Sequence, residues 1–255
     1  MNNVIEALEQ RGLILAVMEI SSIRPLAEKE CGQVWRLILS PEEISCLNGM
    51  KVMKRRCDFL SGRIAGKRAV RRFMKMKRIP GSDRADPGFQ DIDIRRTGTG
   101  APRVYLNNSP GGMGISISHS PFYAASAVCS GAQYAGIGID IEKIEPRHES
   151  LLHVAFRPSE IRALQRGSRQ NPGAPPEQVT RYWSLKEAVL KSMGIGLNVD
   201  LKDIEISEND SGAVRVACEN EVKERLSRLG NHYIDAASYL VGDHVLSVAM
   251  LVRGD

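Results

Sequence analysis

The sequence is poor in several features that define large protein classes. Its 255 residues include five cysteines, an odd number, and these are scattered and never form a Cys-x-x-Cys pair. That usage argues against a disulfide scaffold or a zinc site. The apolar run at residues 13–18 is too short to cross a bilayer, and no signal peptide or lipidation motif accompanies it. We therefore expect a soluble, cytoplasmic protein that has no membrane partner.

The common nucleotide-binding fingerprints are missing as well. Residues 111–114, Gly-Gly-Met-Gly, form a flexible turn rather than a GxGxxG motif, and there is no P-loop. Aromatic residues are also scarce at 5% of the chain, and the most basic segment, residues 51–78, contains two, Phe59 and Phe73. This segment is predicted to be an amphipathic helix. Its basic stripe suits either a solvated helix face or a nucleic-acid surface.

The first forty residues carry little beyond secondary-structure signals. Apolar runs predict one strand near residues 13–20 and another near residues 34–39. Ser40-Pro41-Glu42-Glu43 then predicts a helix start, with serine at the N-cap, proline at the first helical position and glutamate at the third.

The chain does contain a stretch in which isoleucine alternates strictly with glycine or an acidic residue, Gly136-Ile137-Gly138-Ile139-Asp140-Ile141-Glu142. A period of two predicts a β-strand whose isoleucines are buried on one face. The other face carries Asp140 and Glu142, about 7 Å apart along the strand. The glycines on that face are expected to let a ligand approach the backbone. A solvated strand edge is the alternative interpretation.

A second stretch, residues 183–191, has helical spacing. The apolar positions on its predicted core face are Tyr182, Leu185, Val189 and Met193. Gly194 follows the last of them, where a helix commonly ends. Glu187 and Lys191 lie four residues apart on another face, which also suits an exposed ion pair. Together with the two strand carboxylates, Glu187 offers the oxygen-only ligand set that a hard cation such as Mg²⁺ prefers.

Taken together, the two stretches resemble the 4′-phosphopantetheinyl transferases, in particular the monomeric surfactin-synthetase type that activates carrier proteins. The motif of that family is Gly-Ile-Asp-Ile-Glu, followed by Trp-Ser-Leu-Lys-Glu-Ala-x-x-Lys. Further segments are similar to the family: residues 117–120 (Ile-Ser-His-Ser), 156–160 (Phe-Arg-Pro-Ser-Glu), 194–197 (Gly-Ile-Gly-Leu) and 203–206 (Asp-Ile-Glu-Ile). The resemblance extends from residue 40 to residue 206.

The resemblance implies an α+β fold with two similar α/β halves, residues 1–131 and 132–255. In that family the halves form a pseudo-dimer with the active site in the cleft between them. An internal echo in the sequence agrees with this organisation, because each half ends in a small-residue apolar strand. The two echoing segments are residues 123–128 and 245–250.

The resemblance also implies the reaction. The 4′-phosphopantetheine arm of coenzyme A would move to a serine of an apo acyl, polyketide or peptidyl carrier protein, releasing adenosine 3′,5′-bisphosphate. Asp140, Glu142 and Glu187 would hold Mg²⁺. The base would be Glu187 itself, or a metal-bound water that also touches Glu142.

The remaining site residues would contact phosphate oxygens. The resemblance assigns this role to Lys186, which is also placed among the catalytic residues, and to Lys191, Ser118 and His119. On the basic helix the candidates are Arg63, Arg56 and Arg55.

One position departs from the family pattern. Where members commonly carry Gly-Lys-Pro, this chain has Ala101, which puts one coenzyme contact in doubt unless Arg103 supplies it. The resemblance implies a monomer with no nucleic-acid partner. The residues alone leave open two other classes, a different Mg²⁺-dependent enzyme acting on a nucleotide, and a basic nucleic-acid-binding protein built on residues 51–78.

Overall fold

The computed structural model describes residues 1–28, 32–77, 87–166, 175–196, 199–209 and 212–254. The chain divides into two compact units, Met1–Gln133 and Tyr134–Asp255. The boundary predicted from the sequence lies after residue 131, two residues earlier. Both units mix helices with strands, which confirms the predicted α+β class. No helix within the described ranges is long and apolar enough to cross a membrane.

The first unit has most of its helices before most of its strands. Its helices in the described residues are α1 (Asn2–Gln10), α2 (Arg24–Glu28), α3 (Gly32–Ile38), α4 (Pro41–Asn48) and α5 (Met53–Lys77). Its strands are β1 (Ile14–Glu19), β2 (Ile92–Arg96), β3 (Pro102–Leu106), β4 (Ser109–Pro110), β5 (Met113–His119) and β6 (Tyr123–Ser130). A 3₁₀ turn, Phe89–Asp91, leads directly into β2.

The second unit begins with a strand and ends with a hairpin. Its strands in the described part are β7 (Tyr134–Lys143), β8 (Ile204–Glu208), β9 (Val214–Cys218), β10 (His232–Val241) and β11 (His244–Arg253). Its helices are α6 (Glu149–Ala155), α7 (Pro158–Arg166), α8 (Pro176–Ser192) and α9 (Asn220–Arg228). A 3₁₀ turn, Leu201–Asp203, leads directly into β8.

Each unit is centred on a three-stranded antiparallel sheet that packs against one long helix. In the first unit the strand order is β1-β6-β5 and the helix is α5; in the second it is β7-β11-β10 and the helix is α8. The smaller sheets are β2-β3-β4 in the first unit and β8-β9 in the second. The two echoing segments lie in the central strands β6 and β11, so the units repeat one topology.

Strand β7 lies unusually close to α8. The isoleucines of its alternating stretch are buried on the face away from the helix, as predicted. On the opposite face, a Cβ added to Gly138 would lie 1.8 Å from the Ala188 carbonyl oxygen, and one added to Gly136 would lie 2.0 Å from that of Ser192. The expectation that a ligand uses this bare backbone is therefore wrong, because the backbone of α8 occupies the space.

Helix α8 follows its predicted pattern. Leu185 and Val189 are fully buried in the core of the second unit, and Tyr182 is buried beside them. The helix ends at Ser192, and Gly194 follows with a positive φ of 65°. Glycine adopts that backbone conformation without a steric penalty, which explains why the helix stops there.

The basic segment and the helix start before it are also confirmed. Helix α5 spans Met53–Lys77, and Ser40 and Glu43 form a capping box on α4. The predicted burial of one apolar face is wrong for the middle of α5, because residues 59–67 are buried around the whole helix, including Arg63 and Lys67. The Ser40 hydroxyl accepts from the Glu43 amide at 3.2 Å, and the Ser40 amide donates to the Glu43 carboxylate at 3.0 Å. The exchange satisfies backbone donors that the first turn of a helix leaves unpaired.

One predicted strand is wrong. Residues 34–39 lie mostly in helix α3 and do not form a strand. Trp35 and Leu39 are both buried in the same core cluster, four residues apart, so these two share one helical face, whereas Val34 and Leu37 are exposed. A short apolar run does not distinguish a buried strand from a buried helix, and here packing decides.

The contact between β7 and α8 predicts the effect of adding one methyl group. We expect Gly138→Ala to lower the free energy of unfolding by about 3 kcal/mol or more, because the new Cβ would overlap the backbone of α8. Urea denaturation followed by circular dichroism measures this loss. Gly98→Ala is the matched control, since a Cβ there meets nothing within 4 Å. Equal stability of the two variants would contradict the packing described here.

Candidate active site

In the second unit, β7 and α8 bring acidic and basic side chains together. The Lys191 ammonium on α8 lies 2.6 Å from Oδ1 of Asp140 on β7 and 3.4 Å from Oε2 of Glu187. Asp140 is almost completely buried, at 1% exposure. The predicted pair of Glu187 and Lys191 is therefore more than an exposed ion pair, because the lysine also binds the buried strand carboxylate.

Glu142 lies two residues further along the same face of β7 and has a cation of its own. The Arg147 guanidinium donates to its carboxylate at 2.8 Å and lies 3.8 Å from Glu145. Glu142 and Arg147 are both mostly buried, with side-chain exposures of 23% and 22%. The solvated strand edge considered for Asp-x-Glu is thus not what the second unit contains.

The carboxylates of this cluster are electrostatically crowded. Burial is the largest cause that raises the pKa values of Glu142 and Glu187, and the negative charge of Asp140 raises both further. Burial alone would lower the pKa of Lys191, but Asp140 and Glu187 raise it above its ordinary value. Among the described residues, the cations that pair with these carboxylates include Lys191 and Arg147, which only partly offset the causes that raise the pKa values of the two glutamates.

This donor set fits a hard divalent cation in its chemistry. All three acids provide oxygen ligands, and an added positive charge would relieve the repulsion that raises their pKa values. Within the described ranges, however, no group of three or more His, Cys, Asp or Glu side chains is arranged to hold a metal ion. The Lys191 ammonium lies beside Asp140 and Glu187 instead. Binding of Mg²⁺ by Asp140, Glu142 and Glu187 stays a prediction.

Lys186 does not join this cluster, and the structure corrects its expected role. Its ammonium donates to the Ala155 carbonyl at 2.8 Å, to Glu160 at 2.7 Å and to the Leu201 carbonyl at 3.1 Å. The side chain has no exposed surface. A lysine has three N–H donors, and protein acceptors use all of them. A phosphate contact by Lys186 is therefore inconsistent with this geometry.

In the first unit, Ser118 and His119 lie at the end of β5. Ser118 is buried, and the imidazole of His119 packs on helix α5 at Gly62, where an added Cβ would lie 2.6 Å from Nε2. Only glycine leaves room for the ring at this point of the helix. The packing fixes the position of His119, and its contact with a phosphate stays a prediction.

Two of the three arginine candidates on α5, Arg63 and Arg56, have protein partners. Arg63 lies 3.2 Å from Glu43, its guanidinium is 4.5 Å from the centre of the Phe59 ring, and burial is the main cause that lowers its pKa. Arg56 donates to the backbone carbonyls of Leu47 and Met50 at 3.1 and 3.4 Å. Each arginine therefore uses some of its N–H donors within the protein, and the binding of phosphate by Arg63 and Arg56 stays a prediction.

Sequence reasoning missed two residues that the structure connects to the predicted site. Arg147 follows Glu142 by five residues in a segment without regular structure, where neither spacing nor composition indicates a partner. Glu160 belongs to a segment noted for its family resemblance, and a glutamate three residues after a helix N-cap is a recognisable signal. Its ion pair with Lys186, 26 residues away, was not visible in the sequence.

Comparison with known proteins identifies the family. The model of the 4′-phosphopantetheinyl transferase superfamily matches residues 136–249, which contain both β7 and α8. A holo-[acyl-carrier-protein] synthase of Enterococcus faecalis is 32% identical over 120 residues, which are 46% of this chain and 94% of that protein. A 4′-phosphopantetheinyl transferase of Bacillus subtilis is 33% identical over 104 residues, 41% of this chain and 43% of that protein.

A more extended match is with a phosphopantetheinyl transferase of Thraustochytrium sp., which is 29% identical over 165 residues. The aligned region covers 59% of this chain and 55% of that relative. The matched region of the family model holds Asp140, Glu142, Glu187 and Lys191. On the strength of the near-complete match to the bacterial synthase, the chain belongs to the 4′-phosphopantetheinyl transferase superfamily.

Proposed function

We propose that this protein transfers the 4′-phosphopantetheine group of coenzyme A to a serine of an apo carrier protein and releases adenosine 3′,5′-bisphosphate. The observation that carries the proposal is the convergence of Asp140 and Glu187 on the Lys191 ammonium, with Glu142 beside them. Relatives named holo-[acyl-carrier-protein] synthase and 4′-phosphopantetheinyl transferase support it.

Cleavage of the coenzyme A diphosphate builds negative charge on the leaving group, so catalysis needs positioned positive charge. Asp140, Glu142 and Glu187 would hold Mg²⁺, which supplies that charge when bound. Lys191 lies among the same carboxylates and would bind a phosphate oxygen once its ion pairs loosen. Ser118 and His119 of the first unit are proposed to bind phosphate oxygens as well, with Arg63 and Arg56 as further candidates.

The carrier serine is a weak nucleophile and must lose its proton as it attacks phosphorus. Glu187 is the proposed acceptor, because burial and the charge of Asp140 raise its pKa and so make it a stronger base than an ordinary glutamate. The proton passes from the serine hydroxyl to the Glu187 carboxylate, directly or through a water. The phosphopantetheine phosphorus forms a bond to the serine oxygen and loses the adenosine bisphosphate.

The remaining parts of the proposal concern partners and place of action. We propose an apo acyl, polyketide or peptidyl carrier protein as the partner, and action as a monomer in the cytoplasm. The repeat of one topology in a single chain supports a monomer, and the free thiols of Cys46, Cys57, Cys129 and Cys218 support a reducing compartment. Formation of adenosine bisphosphate only in the presence of carrier separates this function from hydrolysis of a nucleotide.

The role of Glu187 is testable with an isosteric change. We expect Glu187→Gln to lower the rate of carrier modification by about 10²-fold or more, because glutamine cannot accept the serine proton. Intact mass of the carrier and release of adenosine 3′,5′-bisphosphate measure the rate. Glu221→Gln on α9 is the control, since Glu221 pairs with Arg225 on the surface and should leave the rate unchanged. Full activity of Glu187→Gln would remove this residue from the mechanism.

Metal removal tests the ligand assignment. Dialysis against a chelator should abolish carrier modification, and Mg²⁺ should restore it, because the three crowded carboxylates repel phosphate without a balancing cation. Initial rates before and after the addition of Mg²⁺ are the measurement. Undiminished turnover in the chelated protein would show that Lys191 and Arg147 supply enough positive charge for the reaction without a metal ion.

The raised pKa values of Glu142 and Glu187 also predict a pH dependence. Each carboxyl must lose its proton to bind metal, so the Mg²⁺ concentration that gives half-maximal rate should increase as pH falls towards these raised values. Arg147 lowers the pKa of Glu142. Arg147→Gln should therefore move the increase to higher pH. Mg²⁺ titrations of the initial rate at several pH values measure this dependence. A half-maximal Mg²⁺ concentration that does not change with pH would contradict the prediction.

A further inference from the structure

Glu160 and Lys186 form the centre of a buried polar network in the second unit. One oxygen of the Glu160 carboxylate, Oε2, accepts from the Lys186 ammonium at 2.7 Å and from the Arg157 amide at 2.8 Å. The other, Oε1, accepts from the Ile206 amide at 2.8 Å. Both side chains are at most 1% exposed. The pair thereby connects α8 with the N-terminus of α7 and with strand β8.

The first unit contains the same network. The Lys67 ammonium on α5 pairs with Oε2 of Glu43, and that oxygen also accepts from the Ser40 amide at 3.0 Å. Oε1 accepts from the Ile94 amide at 3.1 Å. Lys67 has no exposed surface and Glu43 is 2% exposed.

The backbone acceptors of the two lysines correspond as well. Lys67 donates to Ile38, the last residue of α3, at 2.8 Å, and Lys186 donates to Ala155, the last residue of α6, at the same distance. Their remaining acceptors are Phe89 and Leu201, each the first residue of the 3₁₀ turn that leads into a strand. We call the pairs Lys67–Glu43 and Lys186–Glu160, with these partners, the two clamps.

The clamps hold the same elements in both units, but only Lys186–Glu160 adjoins the acid cluster of Asp140, Glu142 and Glu187, whereas Glu43 of the other clamp also lies 3.2 Å from Arg63. Lys186 is followed by Glu187, whereas Lys67 is followed by Arg68. Successive side chains on a helix point about 100° apart, so a fixed direction for Lys186 also fixes the direction of Glu187. Three acceptors from separate segments fix that direction. Burial is the largest cause acting on both lysines and lowers their pKa values. In each clamp the partner glutamate opposes this decrease.

We propose that Lys186 and Glu160 are positioning residues for the transfer reaction, which act through the orientation of α8 and touch neither coenzyme nor carrier. The clamp sets the rotation of α8 about its axis, and this rotation brings Glu187 and Lys191 against Asp140. The proposal rests on the proposed function for its catalytic readout, but the clamp also affects metal binding. Lys67–Glu43 provides the same packing in the first unit, without an adjacent acid.

The test compares three variants with the wild-type protein. Glu160→Gln keeps Lys186 in place but weakens the clamp, Lys186→Met removes the ammonium, and Lys67→Met removes the equivalent ammonium of the first unit. Steady-state kinetics give kcat and the KM for coenzyme A. Electron paramagnetic resonance gives the affinity for Mn²⁺ as a probe of the Asp140 site, and thermal unfolding reports stability.

We expect Glu160→Gln and Lys186→Met to lower kcat by about 100-fold, because small displacements of reacting groups have effects of this size. Their KM for coenzyme A should change by less than threefold, and Mn²⁺ affinity should fall about tenfold through misplacement of Glu187. Lys67→Met should lower the unfolding temperature by a similar amount while kcat and Mn²⁺ affinity stay within threefold of wild type. Should Lys186→Met not fold, Glu160→Gln decides, because glutamine retains one accepting oxygen.

Three outcomes would overturn the positioning role. Wild-type kcat and Mn²⁺ affinity in Glu160→Gln would show that the clamp does not act on Glu187. A rise in the KM for coenzyme A in Lys186→Met alone would make Lys186 a phosphate ligand. Equal loss of kcat in Lys67→Met would reduce both clamps to general stability. If the wild-type protein modifies no carrier, the proposed function fails, and Mn²⁺ affinity still tests the clamp.

Discussion

The close contact between β7 and α8 is the constraint on which the second unit depends. Because Gly136 and Gly138 carry no side chains, the backbone of α8 lies directly against the strand. At that separation the Lys191 ammonium reaches the buried Asp140, and Glu187 lies within reach of both. A larger residue at either glycine would move the helix outward and separate the charged groups. The close approach of α8 to β7 is thus required both for the packing of the core and for the assembly of the acid cluster.

The same contact makes the cluster electrostatically unfavourable on its own. Asp140, Glu142 and Glu187 share a partly dry environment, and burial raises the pKa values of the two glutamates. Arg147 and Lys191 balance only part of that charge. This imbalance is the electrostatic basis of the proposed Mg²⁺ site, and in the structure Lys191 is the counter-ion of Asp140 and Glu187. Folding energy elsewhere in the unit holds these repelling groups in place.

Much of this arrangement was predictable from the sequence. The period of two in β7, the helical stripe on α8 and the capping box before α4 each reflect local geometry, and all are present. Three other features depend on contacts between distant segments. They are the close packing of the β7 glycines against α8, the helix at residues 32–38 and the burial of Lys186. Lys186 shows the limit most clearly. Its acceptors come from three other segments, and nothing within its own helix distinguishes a buried lysine from an exposed one.

The duplicated clamps have a consequence for how the two halves of the chain can diverge. In a symmetric homodimer every substitution enters both subunits at once, so a change that suits one copy of a site is forced on the other. Here the position after the clamp lysine is acidic in one unit, Glu187, and basic in the other, Arg68. With the fold secured twice by equivalent interactions, each copy of the helix is able to acquire its own charge independently. One polypeptide thereby places a carboxylate at this position of α8 and a guanidinium at the equivalent position of α5.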